Sequence, residues 1–500
     1  MFSKVLVANR GEIAVRIQQT LQILGVATVA VYSDPDSTAP HVAMASEAHS
    51  LGGQTAEETY LDIEKLIGIA RRSGAEAIHP GYGFLSENPR FARACQQAGL
   101  VFIGPTPENL EALGDKVQSK EIARRAGVIA LPSTPTCSRI DDTVEEFVKE
   151  WGFPVLVKAA AGGGGRGMRL AGDAGQLPFS LESASREAAA AFGDGRVFLE
   201  KYLPSSHHVE IQVLADGHGN TVHLLERECS VQRRHQKIIE ETPSPALTPK
   251  LRELLGQAAL NIARAAGYLN AGTVEFLLDP MAQRFYFLEM NPRLQVEHPI
   301  TEAILGVDLV GWQVRIAAGE TLTLHQDDLW ANGHAVECRI YAEDPYQNFA
   351  PSTGTLALWR PPSGHGLRLD SGVAQGQRVP AFYDPMLAKL IAWGPDRPTS
   401  LRRMDLALAQ FPVLGLITNI PYLREVIRHP RFQEGKYDTA LLESEVGLNK
   451  PAVAAESEEL ARALAAWASG SYSGDGQLSR SGLPAQNPSP WHNIGGLRLP

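Results

Sequence analysis

The segment LEMNPRLQVE, residues 288–297, has an acidic or polar side chain at every second position. These residues are Glu289, Asn291, Arg293, Gln295 and Glu297. An extended chain projects alternate side chains to one face, so the pattern predicts a single row of carboxylate, amide and guanidinium groups. Met290 and Leu294 fall on the other face and indicate burial there. The simpler alternative is an exposed strand face with a surface salt bridge.

This row has the chemistry of a site for a metal ion and a small oxyanion. Glu275 stands in another apolar run, GTVEFLLD, which is predicted to pair with the first as an antiparallel strand. Oxygen ligands from Glu275, Glu289 and Asn291 suit Mg²⁺ or Mn²⁺ carrying nucleotide phosphates. The arginine and glutamine of the row offer donors to an oxyanion, and Glu297 is placed to act as a base.

Four successive glycines, residues 162–165, follow the apolar run PVLVKAAA. Glycines allow the backbone to approach a ligand and to turn its N–H groups towards an anion. The Walker and kinase loop signatures are absent, so the alternatives are a phosphate-covering loop of a third kind and a flexible surface turn. Lys158 ends the preceding strand, and Lys116 stands in the first turn of a helix that Asp115 is predicted to cap. Two cations so placed favour the phosphate-covering loop.

A third group of charges lies in the segment ERECSVQRRHQKIIEE, which is predicted to be a loop. It contains Arg233, Arg234, His235, Lys237, Glu240 and Glu241. A solvated charge run is the usual explanation of such a segment. In a chain with a net charge of −10, however, a concentrated basic segment is stronger evidence for a functional role than it would be in a basic chain. The pair His207–His208 is interpreted as a polar contact to nucleotide, because no further histidine at ligand spacing supports a metal site.

The elements that must position these residues follow from the hydrophobic pattern, which predicts a mixed α/β fold. Residues 1–113 alternate strands and helices in the manner of an open, doubly wound parallel sheet. Residues 114–330 are predicted to be an α+β domain that contains the hairpin HHVEIQVLAD–GHGN–TVHLLERE. Residues 331–448 become rich in β-strands. Residues 449–500, rich in Ala, Ser, Gly and Pro, are expected to form a mostly disordered linker or tail.

Composition excludes several classes of function. Apolar residues make up 44% of the 500 residues and charged residues 20%, which is typical of a globular protein. The acidic net charge argues against a nucleic-acid partner. Four scattered cysteines without a CxxC pair argue against a disulfide framework or a zinc site. No apolar run reaches the length of about 18 residues that a membrane helix needs, and no signal peptide is evident, so a cytoplasmic protein is expected.

Several long motifs together resemble those of biotin carboxylases, which belong to the ATP-grasp superfamily. They are VANRGEIAVRI, HPGYGFLSEN, KAAAGGGGRGM, QRRHQK, FLEMNPRLQVEHPITE and AVECRIYAEDP, and they occur in the order of the family between roughly Phe2 and Leu448. The resemblance implies that ATP phosphorylates bicarbonate to carboxyphosphate and that carrier-bound biotin is then carboxylated. It also implies an ATP-grasp domain with a glycine-rich lid subdomain at about 131–203, followed by a β-rich C-terminal domain.

The resemblance further implies roles for individual residues. The ATP contacts that it implies are Lys116, Lys158, Gly163, Gly164, Gly165, Glu200, Lys201, Leu203, His208, His235, Glu275 and Glu289. The metal ligands that it implies, for two expected Mg²⁺ or Mn²⁺ sites, are Glu275, Glu289 and Asn291. The bicarbonate site would comprise Lys237, Arg293, Gln295 and the Val296 backbone. The catalytic set would be Arg293, Lys237, Glu297 as the base for bicarbonate, and Arg339 as the arginine that contacts biotin and stabilises its enolate.

Departures from the family pattern are small. Glu228 stands where the family often has aspartate, and Tyr341 stands where many stand-alone subunits have asparagine. Tyr341 and the tail NPSPWHNIGGLRLP are similar to α chains of acyl-CoA carboxylases, so both a stand-alone acetyl-CoA carboxylase subunit and the N-terminal part of such an α chain stay open. No AMKM biotinylation motif appears. The implied partners are therefore a biotin carboxyl carrier protein or domain, carboxyltransferase subunits, and a second copy in a homodimer.

Two other functions remain as alternatives. Another ATP-grasp ligase, of the carbamoyl-phosphate or peptide-ligase kind, would share the lid and the acidic strands, but QRRHQK and RLQVEHP disfavour it. A non-catalytic nucleotide-binding regulator predicts the loss of at least one of the residues Glu275, Glu289, Asn291 and Arg293. None of the four is lost.

Overall fold

The computed structural model of the protein describes residues 1–137, 140–160, 168–233 and 236–444. Gly163, Gly164 and Gly165 of the glycine loop, His235, and the tail 449–500 lie outside these described residues. The expectations for them therefore stay predictions.

The N-terminal part is an open parallel sheet, as the alternation of strands and helices predicts. Its strands are β1 (Lys4–Val7), β2 (Ala27–Tyr32), β3 (Glu47–Ser50), β4 (Ala77–His79) and β5 (Val101–Phe102). Its helices are α1 (Gly11–Ile23), α2 (Pro40–Met44), α3 (Ile63–Ser73), α4 (Pro89–Gln97) and α5 (Pro107–Gly114). The strand order is β3-β2-β1-β4-β5, and all neighbours are parallel. Ile13, Ile17 and Leu21 of α1, spaced along one helix face, are buried with the apolar residues of β1.

A small antiparallel sheet follows, with a hydrophobic core of its own. The elements here are α6 (Lys116–Arg125), α7 (Asp142–Trp151), β6 (Val155–Ala159), β7 (Arg169–Ala171), α8 (Leu177–Phe192) and β8 (Val197–Lys201). The strand order is β7-β6-β8. Val144 of α7 packs with Val155 and Leu199 in this core. As predicted, Asp115 caps α6, because its Oδ1 accepts hydrogen bonds from the N–H groups of the second and third helical residues, both at 2.9 Å.

An eight-stranded antiparallel sheet dominates the rest of the described chain. Its first elements are β9 (His207–Ala215), β10 (Thr221–Arg233), β11 (Gln236–Thr242), α9 (Pro249–Ala265), β12 (Asn270–Asp279), β13 (Arg284–Asn291), α10 (His298–Leu305) and α11 (Leu309–Ala317). The strand order is β13-β12-β9-β10-β11-β14-β21-β19, in which β14 (His334–Tyr341), β21 (Met386–Gly394) and β19 (Leu367–Ser371) come from the C-terminal part. The hairpin β9–β10 and the pair β12–β13 form as the sequence predicts. The prediction of a loop for ERECSVQRRHQKIIEE is wrong, because its described residues lie in the paired strands β10 and β11. The sheet is continuous through the β11–β14 pair, so no gap separates the strands before residue 330 from those after residue 331.

The C-terminal part completes this sheet and covers it with helices. Its elements are β14 (His334–Tyr341), β15 (Glu343–Asp344), β16 (Ala350–Pro351), β17 (Gly354–Thr355), β18 (Leu358–Trp359), β19 (Leu367–Ser371), β20 (Arg378–Val379), β21 (Met386–Gly394), α12 (Arg397–Ala409), β22 (Val413–Leu414), α13 (Ile420–Arg428), α14 (Pro430–Gln433) and α15 (Leu441–Ser444). Val336, Cys338 and Leu390 of the sheet share a core with Met404 of α12 and Leu423 of α13. None of the described helices is both long enough and apolar enough to cross a membrane.

The prediction of one extended row from Glu289 to Glu297 is wrong beyond Asn291. Strand β13 ends at Asn291, and residues 292–297 form an irregular segment that leads into α10. Pro292 has no backbone N–H to donate to a neighbouring strand, so the ladder stops there. The polar side chains of this segment nevertheless converge on the same region as those of β13.

Candidate active site

Lys237 of β11 lies at the centre of the candidate site. Its Nζ is 2.5 Å from Glu210 Oε2, 2.9 Å from Glu275 Oε1 and 2.7 Å from Glu297 Oε1. Burial acts to lower the pKa of Lys237, but the three carboxylates outweigh it and hold that pKa well above its usual value. Lys237 is therefore a fixed cation at the meeting point of three separate elements.

The carboxylates meet because the register of the sheet aligns them. Glu289, Glu275 and Glu210 are direct cross-strand neighbours on β13, β12 and β9. Glu210 is in turn opposite Arg227 on β10. Carboxylates directly opposite one another repel, so such a row needs cations beside it. Arg227 and Lys237 supply two of them.

Arg227 is a fully buried support for this row. Its guanidinium donates to Glu210 Oε1 at 2.5 Å and to Gln212 Oε1 at 2.8 Å. It also donates to the hydroxyl oxygens of Thr273 and Thr301, both at 3.0 Å. Because the hydrogen bonds from its nitrogens compensate the burial of its charge, Arg227 holds β9, β10, β12 and α10 in a fixed relation.

Glu297, immediately before α10, joins Lys237 to Arg339 of β14. Arg339 Nη2 is 3.0 Å from Glu297 Oε2, and its Nε donates to Glu240 Oε1 at 2.6 Å. Burial acts to raise the pKa of Glu297, but the positive charges of Lys237, Arg339 and Arg227 hold it well below its usual value. Burial raises the pKa of Glu240 to about 7 against the opposing effect of Arg339. Glu297 is thus ionised, with one carboxylate oxygen against each cation.

The predicted oxyanion donors form a connected group beside these charges. Arg293 Nη1 donates to Gln295 Oε1 at 2.8 Å, and its Nη2 donates to Asn291 Oδ1 at 3.3 Å. Its Nε also donates to Glu87, which lies between β4 and α4 in the N-terminal part. Gln295 Nε2 is 3.3 Å from Glu275 Oε1 and so links this group to the carboxylates. The arginine, the two amides and Glu275 therefore lie together, although residues 293–295 are not on an extended strand.

The Val296 backbone lies in the same segment, where its carbonyl oxygen accepts a hydrogen bond from Lys389 Nζ at 2.9 Å. Lys389 is on β21 and is completely buried. The peptide between Val296 and Glu297 is thus supported by Lys389, a residue to which the sequence analysis gave no role.

The predicted metal ligands occupy the outer end of the row. The side chain of Glu289 is 30% exposed, and its Oε2 is 3.7 Å from Lys116 Nζ at the start of α6. Glu275 and Asn291 are buried, and Asn291 stands opposite Thr273 on the strand that carries Glu275. Two carboxylates and an amide oxygen at a partly open edge fit a hard divalent cation such as Mg²⁺.

His208 lies against the inner part of the same row. Its Nε2 is 3.0 Å from Glu275 Oε2, and its Nδ1 is 2.8 Å from Gln232 Nε2. Ligand atoms of His208, Glu210 and Glu275 lie within 4.8 Å of one another. The ammonium group of Lys237 already lies against both of these carboxylates, and Arg227 donates to Glu210, so two cations offset their charges without a metal ion. Burial acts to raise the pKa of Glu275, but Lys237 and His208 hold it below its usual value.

A second cluster joins β6, β8 and α6. Glu200 of β8 accepts hydrogen bonds from Lys158 of β6 and from Lys120 of α6, the latter at 2.6 Å. Burial acts to raise the pKa of Glu200, but the two lysines lower it to about 2. Lys116 and Lys120 are four residues apart on α6, so this helix presents one cation to each cluster. An open cleft of about 1140 Å³ runs between α6 and residues 129–135 and is lined by both lysines.

The other two predicted ATP contacts in the described chain follow Glu200. Lys201 Nζ donates to the Trp151 carbonyl oxygen at 2.8 Å, at the end of α7. Leu203 is partly buried. Neither side chain contacts the row of carboxylates, and their expected nucleotide contacts stay a prediction.

Sequence reasoning assigned no role to four residues that complete these clusters: Glu87, Lys120, Glu210 and Arg227. Glu210 and Gln212 alternate with apolar residues in HVEIQVL, and Arg227 follows the short apolar pair Leu224–Leu225 in its strand. A charged residue within a strand predicted to be buried is a usable signal, because such a charge needs a partner. The partner itself depends on the strand order, which the sequence does not state.

Three protein families match consecutive parts of the chain. Residues 1–110 match "Biotin carboxylase, N-terminal domain". Residues 115–325 match "Carbamoyl-phosphate synthase L chain, ATP binding domain". Residues 337–444 match "Biotin carboxylase C-terminal domain".

Individual proteins are similar over most of the chain. Biotin carboxylase 1 of Bacillus subtilis is 46% identical over 447 residues, which are 89% of this chain and 99% of that protein. Mitochondrial methylcrotonoyl-CoA carboxylase subunit alpha of Dictyostelium discoideum is 46% identical over 499 residues, 99% of this chain and 70% of that protein.

A solved structure is similar in fold as well. The biotin carboxylase domain dimer of Hydrogenobacter thermophilus 2-oxoglutarate carboxylase, in complex with MgADP, ADP and bicarbonate, has a TM-score of 0.88 and 46% identity. The match covers 91% of this chain and all of that chain. The chain belongs to the biotin carboxylase family.

Proposed function

We propose that this protein is a biotin carboxylase, which uses ATP and bicarbonate to carboxylate carrier-bound biotin through carboxyphosphate. The observation that carries the proposal is the contact of Glu297 with Lys237 at 2.7 Å and with Arg339 at 3.0 Å. The carboxylate of Glu297 thereby contacts both Lys237, which is expected to bind bicarbonate, and Arg339, which is expected to contact biotin.

In the first step, Arg293, Gln295 and Lys237 bind and orient bicarbonate. Glu297, whose carboxylate is kept ionised by neighbouring cations, is assigned as the base for the bicarbonate proton. An oxygen of bicarbonate then attacks the γ-phosphorus of ATP, a new P–O bond forms, and the bond to ADP breaks. Such a transfer depends mainly on positioning and on neutralisation of charge. The fixed cations around the row of carboxylates meet both requirements.

Nucleotide binding is assigned to the outer end of the row of carboxylates, to Lys116 beside it, and to the cluster of Lys158 and Glu200. Glu275, Glu289 and Asn291 would hold Mg²⁺ or Mn²⁺, which neutralises phosphate charge when bound. Lys116, beside Glu289, and Lys158, beside Glu200, are placed as additional cations for the phosphates. The glycine loop at residues 163–165 and His235 are assigned to the nucleotide on the resemblance alone.

In the second step, carboxyphosphate breaks down to CO₂ and phosphate next to the ureido ring of biotin. The phosphate takes the proton of the ureido N–H, and that nitrogen forms a bond to the carbon of CO₂ to give N-carboxybiotin. Arg339 is assigned to stabilise the biotin enolate. Its guanidinium is held by Glu240 on one side and Glu297 on the other, so it is oriented before biotin arrives.

The partner subunits, the oligomeric state and the domain bounds are also part of the proposal. We assign this chain to a carboxylase complex with a biotin carrier and carboxyltransferase subunits, and we expect it to form a homodimer. The similarity to a methylcrotonoyl-CoA carboxylase α subunit supports an acyl-CoA carboxylase. The proposed organisation is an N-terminal domain to residue 113, an ATP-grasp domain to residue 330 and a C-terminal domain to residue 448.

The test is bicarbonate-dependent release of ADP by the purified protein with Mg²⁺. We expect this release to need bicarbonate and to increase with free biotin. Arg293→Ala should abolish it, because the main predicted oxyanion donor is removed. Arg264→Ala, on the exposed side of α9, is the matched control and should behave as wild type. ADP release that ignores bicarbonate, or that survives Arg293→Ala, would contradict the proposal.

A further inference from the structure

Lys389 is a completely buried lysine whose ammonium group joins three parts of the protein. Its Nζ donates to the Val296 carbonyl oxygen at 2.9 Å. The same atom is 3.1 Å from Glu12 Oε2 on α1 and 3.7 Å from Asp370 Oδ2 on β19. A buried ammonium group is costly unless it is paired, so these acceptors fix its position.

The Val296 carbonyl belongs to the peptide that leads into Glu297. This peptide lies beyond the end of β13, so no strand ladder holds it. Two buried side chains support the turn instead. His298 Nδ1 lies 2.8 Å from the Gln295 carbonyl oxygen, and Lys389 holds the next carbonyl along the chain. The orientation of the segment that carries Gln295 and Glu297 therefore depends on Lys389.

Glu12 in turn depends on Lys389. It is buried at the start of α1, where its Oε2 lies 3.1 Å from Lys389 Nζ. Burial raises the pKa of Glu12 to about 7, and the charge of Lys389 is the main opposing effect. Asp370 depends less on Lys389, because Arg368 donates hydrogen bonds to both of its carboxylate oxygens, at 2.8 and 2.7 Å. The ion pair of Glu12 with Lys389 thus links helix α1 to the turn at residues 295–297.

We propose that Lys389, anchored by Glu12, is a positioning residue for the reaction: it fixes the peptide before Glu297 and so the turn that binds bicarbonate. The inference rests on the proposed function. Lys389 acts through Val296 rather than by touching substrate. Its loss should therefore impair the use of bicarbonate and leave the binding of ATP, at the other end of the row of carboxylates, unchanged.

The experiment compares Lys389→Met, Lys389→Arg and Glu12→Gln with wild type in steady-state ADP release. Bicarbonate and ATP are varied separately, and thermal unfolding is recorded for each variant. Lys389→Met keeps the length of the side chain and removes the donor. We expect kcat/KM for bicarbonate to fall about 10- to 100-fold, the loss that corresponds to one hydrogen bond from a charged donor, at unchanged KM for ATP. Lys389→Arg should restore part of the loss, and Glu12→Gln should cause a smaller loss of the same kind.

Lys436→Met is the matched control, because Lys436 is 75% exposed. The proposal is overturned if folded Lys389→Met has wild-type kinetics or loses affinity for ATP and bicarbonate equally. If Lys389→Met does not fold, the KM values of Glu12→Gln decide by the same criterion. Failure of both variants to fold would show that the pair is structural and would also overturn the proposal. Absence of bicarbonate-dependent ADP release from wild type would instead contradict the proposed function.

Discussion

Replacing Glu297 with glutamine removes one negative charge from the centre of the site and keeps the size of the side chain. In wild type, the two carboxylate oxygens of Glu297 lie 2.7 Å from Lys237 and 3.0 Å from Arg339. Glutamine can accept from one of these cations with its oxygen, but its amide group faces the other as a donor. The variant therefore loses the proposed base and weakens two contacts.

The expected magnitude follows from these two effects. Removal of a general base lowers the rate by about 10²- to 10⁴-fold. This range corresponds to about 3–5 kcal/mol in the activation barrier. Breaking a buried ion pair also lowers the free energy of unfolding, here by about 3 kcal/mol or more. Because Glu297 contacts neither Lys116 nor Lys158, the affinity for ADP should be retained.

The assay is bicarbonate-dependent ADP release at saturating bicarbonate, together with ADP binding by calorimetry. Glu253→Gln, at an exposed position of α9, provides the control for the same chemical change. A folded Glu297→Gln variant with wild-type kcat would refute the assignment of the base. The depressed pKa of Glu297 adds a second check: the wild-type base should stay ionised from neutral pH down to about pH 5, so activity lost in that range must come from another group.

Two further predictions concern stability. Glu241→Gln removes a buried carboxylate held by Arg397 at 2.6 Å and by His334 at 2.7 Å. Burial acts to raise the pKa of Glu241, but these partners lower it to about 2, so its contribution is present above about pH 4.5 and is lost as the pH falls towards 2. Denaturant unfolding should show a deficit of about 3 kcal/mol at pH 7 that shrinks with acid; a deficit independent of pH would contradict this. Phe276→Ala, at a fully buried position of β12, should cost about 3–5 kcal/mol in the same measurement at any pH. A cost below about 1 kcal/mol would mean that the core is packed differently.

The sequence predicted the elements better than it predicted the contacts. Glu275 and Glu289 could be placed on paired strands, because alternation with apolar residues indicates both the strand and its buried face. Their meeting with Glu210 could not be foreseen, since it depends on β12 lying between β13 and β9. Strand order comes from long-range packing, which a local pattern does not encode.

The irregular segment after β13 is a case in which the local sequence did contain the relevant signal. Pro292 was available in the sequence, and its missing N–H predicts the end of the strand at Asn291. The alternation of polar residues instead suggested continued extension. What no local pattern contains is the support of that segment by Lys389, which is ninety-three residues away from Val296 along the chain.

The continuous β11–β14 ladder has a consequence for how this protein can be divided. Lys237 and Arg339 stand on these adjacent strands, so the separation between the residue proposed to bind bicarbonate and the residue proposed to contact biotin is fixed by one set of backbone hydrogen bonds. Swinging apart of domains at residue 330 would have to break that ladder. A fragment cut there would carry β11 as a bare edge with unpaired N–H and carbonyl groups, a surface that invites aggregation. The strands that carry Lys237 and Arg339 thus belong to one continuous sheet.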